Sequence, residues 1–203
     1  MSYSNNKNVK KQSLVAFFSA LSAILMFFDF PLPIAPSFMK MDLSELPVII
    51  GGFILGPVPC ITISVLKVLI KFMIKGTSTM FFGELANLIG SIAYALPSSI
   101  IYAKLKNKKR AVHGLILGTL FSSLVCTLFN AFLLFPLYMN VFHMSEDVII
   151  GMCRAILPFI DSMLMVMLFS VFPFNILKFG ITSIITYLLY KNVSKLTKEF
   201  INK

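Results

Sequence analysis

The 203-residue chain has no tryptophan and only eight acidic residues, and charged side chains make up just 13% of it. So little charge excludes an ordinary solvated globular surface, since soluble domains carry about 25% charged residues. Cys60, Cys126 and Cys153 stand apart in or beside apolar sequence with no C-x-x-C pair. Structural zinc and disulfides are therefore not expected, and the three read as small hydrophobes. There is no G-x-x-x-x-G-K-[ST] to cradle nucleotide phosphates, no H-E-x-x-H to hold a catalytic metal and no G-x-S-x-G nucleophile elbow. No period of repetition and no low-complexity segment is visible. Enzymatic chemistry has no evident seat.

What the chain does have is apolar length. Hydrophobic residues make up 58% of it and the mean hydropathy is +0.89. The apolar stretches are continuous over helix-spanning lengths, unlike the short alternating segments of a membrane barrel. The chain therefore reads as one domain, 1–203, of an all-α, multi-pass protein of the cell membrane. Its polar start followed by an apolar run looks like a signal peptide. Asp29 and Pro31 stand where small cleavage-site residues belong, so this segment reads as a retained span.

The net charge of +10 raises nucleic acid as a partner, but its distribution argues against one. Basic residues cluster at Lys7, Lys10 and Lys11, at Lys104, Lys106, Lys108, Lys109 and Arg110, and at Lys191, Lys195, Lys198 and Lys203, each group beside the end of an apolar run. That is the mark of cytoplasmic loops.

Six spans are predicted, over about 14–28, 44–55, 60–75, 82–103, 111–135 and 173–190. Prolines 31, 33 and 36 end the first, Ser44 is a candidate N-cap for the second, Gly56 to Pro59 break it, and Pro136 stops the fifth. Residues 138–172 mix Glu146, Asp147, Arg154 and Asp161 with an apolar run. They read as an external connection with one or two partly buried helices, a seventh span being the other possibility. This arrangement puts both termini in the cytoplasm, as tails over 1–13 and 191–203, and places His113 and His143 as interfacial residues on opposite sides.

The external side then gathers the polar groups. A polar island, Lys75 to Asn87, separates two apolar runs. Glu84 and Asn87 share one helix face if Gly83 opens a helix. Asn130 lies towards the external end of the fifth span, and Asn175 and Lys178 lie one turn apart at the expected start of the sixth. Polar groups at membrane depth point to a ligand site, though Glu84 and Lys178 could instead neutralise each other and the asparagines could bind helices together. Lys67, Lys71 and Lys75 recur every four residues as one stripe, and Lys67, the deepest, needs Glu84, another acid or a ligand as its partner. Asp29, Arg154 and Asp161 need partners too, and an Arg154-to-acid contact is expected to latch the external connection. Phe38, Met39 and Met41 are apolar residues on the loop beside the island, placed to cover a flat aromatic ligand or to rest on the bilayer. Ala16 and Ala20 form a small-x-x-x-small pattern, and Ser19/Ala23, Gly52/Gly56 and Gly114/Gly118 form others, each able to let a helix approach closely.

Four blocks in order carry a resemblance. They are Phe28-Asp29-Phe30-Pro31; Pro36 to Pro47; Gly76-Thr77-Ser78-Thr79 with Gly83-Glu84-Leu85-Ala86-Asn87; and Pro173-Phe174-Asn175-Ile176-Leu177-Lys178. Over about 16–178 the chain resembles the riboflavin-binding S-components of energy-coupling factor (ECF) vitamin transporters, with Met80-Phe81-Phe82 departing from the smaller residues expected between the third block's halves. The resemblance implies a non-enzymatic six-helix subunit that captures riboflavin from outside and needs no cofactor, and the residues do not separate riboflavin from its phosphate FMN, since Lys75 or Lys178 could tolerate a phosphate. It also implies a transmembrane coupling subunit and two ATP-binding subunits as partners. By the same resemblance Glu84, Asn130, Asn175 and Lys178 hold the ribityl chain, Met39, Lys40, Met41, Asp42 and Leu43 contact the ring, Thr79 and Asn87 join the site, and Ala16 and Ala20 meet the coupling subunit. From the residues alone, a secondary transporter using Glu84 as an ion site stays open, as does an intramembrane enzyme improvised from Glu84 with Lys178 or Asp161 with Arg154.

Overall fold

The computed structural model describes residues 2–36, 38–77, 79–190, 192, 193 and 195, with side chains from residue 8. The expected C-terminal tail, 191–203, lies outside the described residues apart from those three. The described chain is mostly helical. Five helices are long and apolar enough to cross a membrane, over Asn8–Phe27, Pro57–Lys75, Phe82–Leu105, Lys108–Val141 and Met163–Leu188.

The first helix, α1, runs Ser2–Phe27 and so already includes most of the segment expected as a tail. Past it, β1 (Phe30–Pro31) pairs antiparallel with β2 (Lys40–Met41) in the register Phe30 to Met41 and Pro31 to Lys40. This small ribbon folds the proline-rich loop back over the bundle. Next, α2 (Glu45–Leu55) has eleven residues and spans about 16 Å, well short of a ~30 Å hydrocarbon core. Ser44 does sit at its N-cap, but its side chain makes no capping bond. Gly56, at a φ of 99° that favours glycine, ends α2, and Pro57 opens α3 (Pro57–Lys75) at a position where its missing N–H costs nothing.

The last three long helices need more length than the prolines suggest. α4 runs Phe82–Leu105 with Pro97 inside it. α5 runs Lys108–Val141, its start capped by the Asn107 side chain, which accepts the Arg110 N–H at 2.9 Å. It passes straight through Pro136, because Asn130–Leu134 form a π turn in which the Phe135 N–H reaches the Asn130 carbonyl. α6 covers Glu146–Arg154, and α7 covers Met163–Leu188. α7 repeats the same device: a π turn over Met167–Val171 stands before Pro173, and the Phe172 N–H reaches the Met167 carbonyl. Widened turns before a proline let the helix re-satisfy its backbone without exposing it to lipid. The expectations that Pro136 stops the fifth span and that the last begins at Pro173 are therefore corrected. The connection over 138–172 shrinks to α6 and two short turns.

Arg154 makes no acid contact among the described residues; its Nε donates to the Ile160 carbonyl at 2.9 Å and closes the turn between α6 and α7. The bundle interior is rich in serine, with Ser19, Ser22, Ser64, Ser91, Ser98 and Ser122 all buried, as suits close helix contacts in lipid. Gly114 and Gly118 belong to this interior. A Cβ on either would come within 2.8 Å or less of α4 backbone at Ser98 and Tyr94, so that pattern is an internal crossing. The outside is apolar, with Phe17, Ile24, Leu117, Phe121, Leu124, Phe132 and Leu188 exposed. α2 wedges against α1, α3, α4 and α7 beneath the ribbon loop, and this places charged residues from its N-terminal end inside the bundle.

Candidate functional site

Two adjoining cavities open where the ribbon loop meets α4, α5 and α7. The inner one, about 110 Å³, is lined by Phe38, Met39, Lys40, Glu45, Asn87, Asn130, Tyr138, Asn175 and Lys178 among others. The outer one, about 460 Å³, takes in Asp29, Lys71, Lys75, Thr77, Thr79 and Glu84. Phe38, Lys40, Gly83, Asn87 and Tyr138 border both. The structure thus brings the three amides and Lys178 to the inner cavity, while Glu84 lines the adjoining outer one. Asn175 and Lys178 come from the interior of α7 rather than from its start, since that helix begins ten residues earlier than Pro173.

The polar island folds around a single carboxylate oxygen. Glu84 Oε2 accepts from Thr77 Oγ1 at 2.9 Å and from Thr79 Oγ1 at 3.0 Å. Thr77 Oγ1 in turn accepts the N–H groups of Thr79 and Phe81, at 3.1 and 3.0 Å, and Thr79 Oγ1 accepts the Gly83 N–H at 3.0 Å. This wiring satisfies the Gly83 N–H in the first turn of α4 and the Phe81 N–H at its N-cap, and leaves Glu84 Oε1 without a hydrogen bond among the described residues. The turn is strained. Met80 and Phe81, which stand where smaller residues were expected, adopt φ of 48° and 70°, a region bulky side chains seldom occupy.

The asparagines are half engaged. Asn130 Nδ2 donates to the Cys126 carbonyl at 2.6 Å and Asn175 Nδ2 to the Val171 carbonyl at 2.9 Å. Each fixes its amide against its own helix and keeps its oxygen unbonded among the described residues. Asn87 Oδ1 is buried with no hydrogen-bond partner among the described residues. A buried acceptor left open costs free energy, so Asn87 Oδ1, beside the unbonded amide oxygens of Asn130 and Asn175 on the same cavity, marks a place suited to donors from elsewhere.

Glu84 and Lys178 do not pair. Lys178 Nζ instead lies 3.3 Å from Asp42 Oδ2, while Asp42 Oδ1 accepts the Ser44 N–H at 2.8 Å. Lys67 finds Glu45 at 2.6 Å, both side chains closed to solvent, and also donates to Ser44 Oγ at 3.0 Å. Glu45 Oε2 accepts from Ser91 Oγ at 2.7 Å, and that hydroxyl meets Ser64 Oγ at 2.9 Å. Ser22 Oγ donates to the Ser44 carbonyl. This polar rod ties α1, α2, α3, α4 and α7 together under the inner cavity. Glu45 was missed in the sequence, although a lone acid heading an uncharged apolar run is itself a signal that a partner waits in space.

The ribbon loop reaches the site unevenly. Phe38 stacks on Tyr138, ring centroids 4.5 Å apart, and meets Phe135 edge-on at 5.5 Å. Met39 and Lys40 line the inner cavity and Asp42 the outer. Met41 and Leu43 line neither cavity and pack with Ala35 and Phe174, a cluster that Met39 also touches. Asp29 anchors the loop: Lys71 lies 3.3 Å away, Lys40 3.5 Å and Lys75 3.9 Å. Burial raises its pKa, but the three ammonium groups, Lys71 foremost, outweigh this and hold the carboxyl below its ordinary value. Far from the cavities, Ala16 and Ala20 lie on the exposed face of α1, while Ser19 and Ala23 face inward.

The chain is similar to known proteins in sequence and in fold. A family model described as ECF transporter, substrate-specific component, matches residues 10–190. The chain is 26% identical over 195 residues to the riboflavin transporter RibU of Staphylococcus aureus (strain TCH60), covering 96% of each protein. It is 31% identical over 136 residues to the riboflavin transporter FmnP of Bacillus subtilis (strain 168), covering 66% of this chain and 72% of that one. A solved structure of the S component of a bacterial ECF transporter matches with a TM-score of 0.72 and 27% identity, over 94% of this chain and 99% of the other.

Proposed function

Because the chain belongs to the family of substrate-specific components of ECF transporters, we propose that it is the riboflavin-binding subunit of an ATP-driven vitamin importer. It is a transport component, not an enzyme, and it resides in the membrane. The observation that carries the substrate is the set of open acceptors on Asn87, Asn130 and Asn175 around a cavity roofed by Phe38 and Met39. Riboflavin offers a flat ring for the apolar roof and a chain of hydroxyls for amides, a carboxylate and an ammonium. Glu84, Asn87, Asn130, Asn175 and Lys178 take the ribityl chain, Thr79 steadies Glu84, and Met39 and Lys40 approach the ring. Met41 and Leu43 support the loop from behind.

The topology completes the reading. The five long helices and the short α2 act as six crossings, with α2 a partial one that sinks the ribbon loop into the outer leaflet. Both termini then lie in the cytoplasm, as the basic clusters require. ATP is hydrolysed by two separate subunits, and a transmembrane coupling subunit docks on the outward stripe of Ala16 and Ala20, where small side chains let another helix come close.

The test is direct. The detergent-purified chain should quench riboflavin fluorescence at one site per chain or emerge yellow with a flavin spectrum. A colourless protein that leaves riboflavin fluorescence untouched would overturn the substrate assignment.

A further inference from the structure

Three charged side chains line the inner cavity, Lys40, Glu45 and Lys178, and each already faces an opposite charge. Lys40 meets Asp29 at 3.5 Å but is half exposed, so water screens that pair. Glu45 has both oxygens engaged, by Lys67 and Ser91. Lys178 is different. It is buried, one of its three N–H groups goes to Asp42, and the other two are free among the described residues. Asp42 is buried as well and is held in place by the Ser44 N–H on its other oxygen.

We propose that Asp42 is a specificity-determining residue of this site: by neutralising Lys178 inside the cavity, it makes the site select an uncharged polyhydroxyl ligand over its phosphorylated, anionic counterpart. The inference rests on the riboflavin reading of the site and goes beyond it. A hydroxyl can accept from the spare N–H groups of Lys178 without disturbing the pair. A phosphate must shed tightly held water to enter, and only an uncompensated cation repays that cost. Here the Lys178–Asp42 pair has no net charge, and the Asp42 carboxylate repels any anion that approaches the ammonium. The four-block resemblance counts Asp42 among the ring contacts, but its carboxylate is turned to Lys178 instead.

The experiment compares dissociation constants for riboflavin and for flavin mononucleotide, by fluorescence quenching at neutral pH, in the full-length wild type and in Asp42→Asn and Lys178→Gln. The wild type should prefer riboflavin. Asp42→Asn keeps an oxygen for the Ser44 N–H yet exposes the Lys178 charge, and should shift the ratio towards the mononucleotide by about tenfold or more, the scale of coupling between close charges. Lys178→Gln leaves the Asp42 carboxylate alone and should move the ratio the other way, even as it weakens both ligands. If Asp42→Asn does not fold, the sign of the Lys178→Gln shift decides. A purely structural role for Asp42 would weaken both flavins alike, and an unmoved ratio overturns the proposal. A wild type that binds neither flavin overturns the riboflavin reading as well, so the two failures are distinguishable.

Discussion

Lys67 Nζ sits 2.6 Å from a Glu45 carboxylate oxygen, in the bundle interior where neither side chain reaches solvent. The two residues lie on helices joined by a single glycine turn, α2 and α3. Both ions have surrendered their water, and the pair is tolerable only because Ser44 and Ser91 supply further hydrogen bonds. Removing one partner leaves a bare buried charge. Lys67→Ala or Glu45→Ala should therefore destabilise the detergent-solubilised protein by about 3–5 kcal/mol, whereas the double replacement Lys67→Met/Glu45→Leu should cost far less. Thermal unfolding of the three variants measures this, and single and double changes of equal cost would show that the pair is not coupled.

Asp29 should control how long the ribbon loop stays shut. Its carboxylate holds Lys40 of the loop against Lys71 and Lys75 of α3. Asp29→Asn is expected to speed riboflavin dissociation roughly threefold, in keeping with ~0.2–1 kcal/mol for partly exposed pairs. The pH dependence has a definite sign. A carboxyl whose pKa is lowered by the closed structure contributes fully above its ordinary value of 3.8, and that contribution is lost as pH falls through the lowered value. Stopped-flow dissociation rates should show no Asp29 effect on pH dependence between neutrality and that value. A wild-type rate that climbs near pH 6 with the same dependence on Asp29 would contradict the latch.

Asn87 separates stability from binding. Its buried Oδ1 has no partner among the described residues, so Asn87→Ala removes an acceptor that they leave unused. The unliganded protein should melt no earlier than wild type. Riboflavin affinity should fall about three- to tenfold, the ~0.5–1.5 kcal/mol of one ordinary hydrogen bond. Early melting with unchanged affinity would assign this amide to the fold instead.

Much of this was legible one residue at a time. Glu84, Asn87, Asn130, Asn175 and Lys178 stand out because polar groups at membrane depth are costly, and they do surround the cavities. Tyr138, which borders both cavities and stacks on Phe38, carried no such signal, because a tyrosine near the end of an apolar run is ordinary. The π turns before Pro136 and Pro173 were also hidden. Proline reads as a stop wherever water can take the freed carbonyl, and lipid removes that option, so the helix widens by one residue and goes on.

Hydropathy and charge act locally and add along the chain. For that reason the sequence alone determined that this is a multi-pass helical membrane protein, where its long helices lie to within a few residues at most ends, and which residues were too polar to face lipid. Ion pairing does not add along the chain. Lys178 takes Asp42 from 136 positions away rather than Glu84, Lys67 takes Glu45, and Glu84 turns to two threonines of its own loop. Only the tertiary structure decided these, because the desolvation of each buried charge is offset by whichever opposite charge the packed helices bring within reach, and sequence spacing says nothing of that.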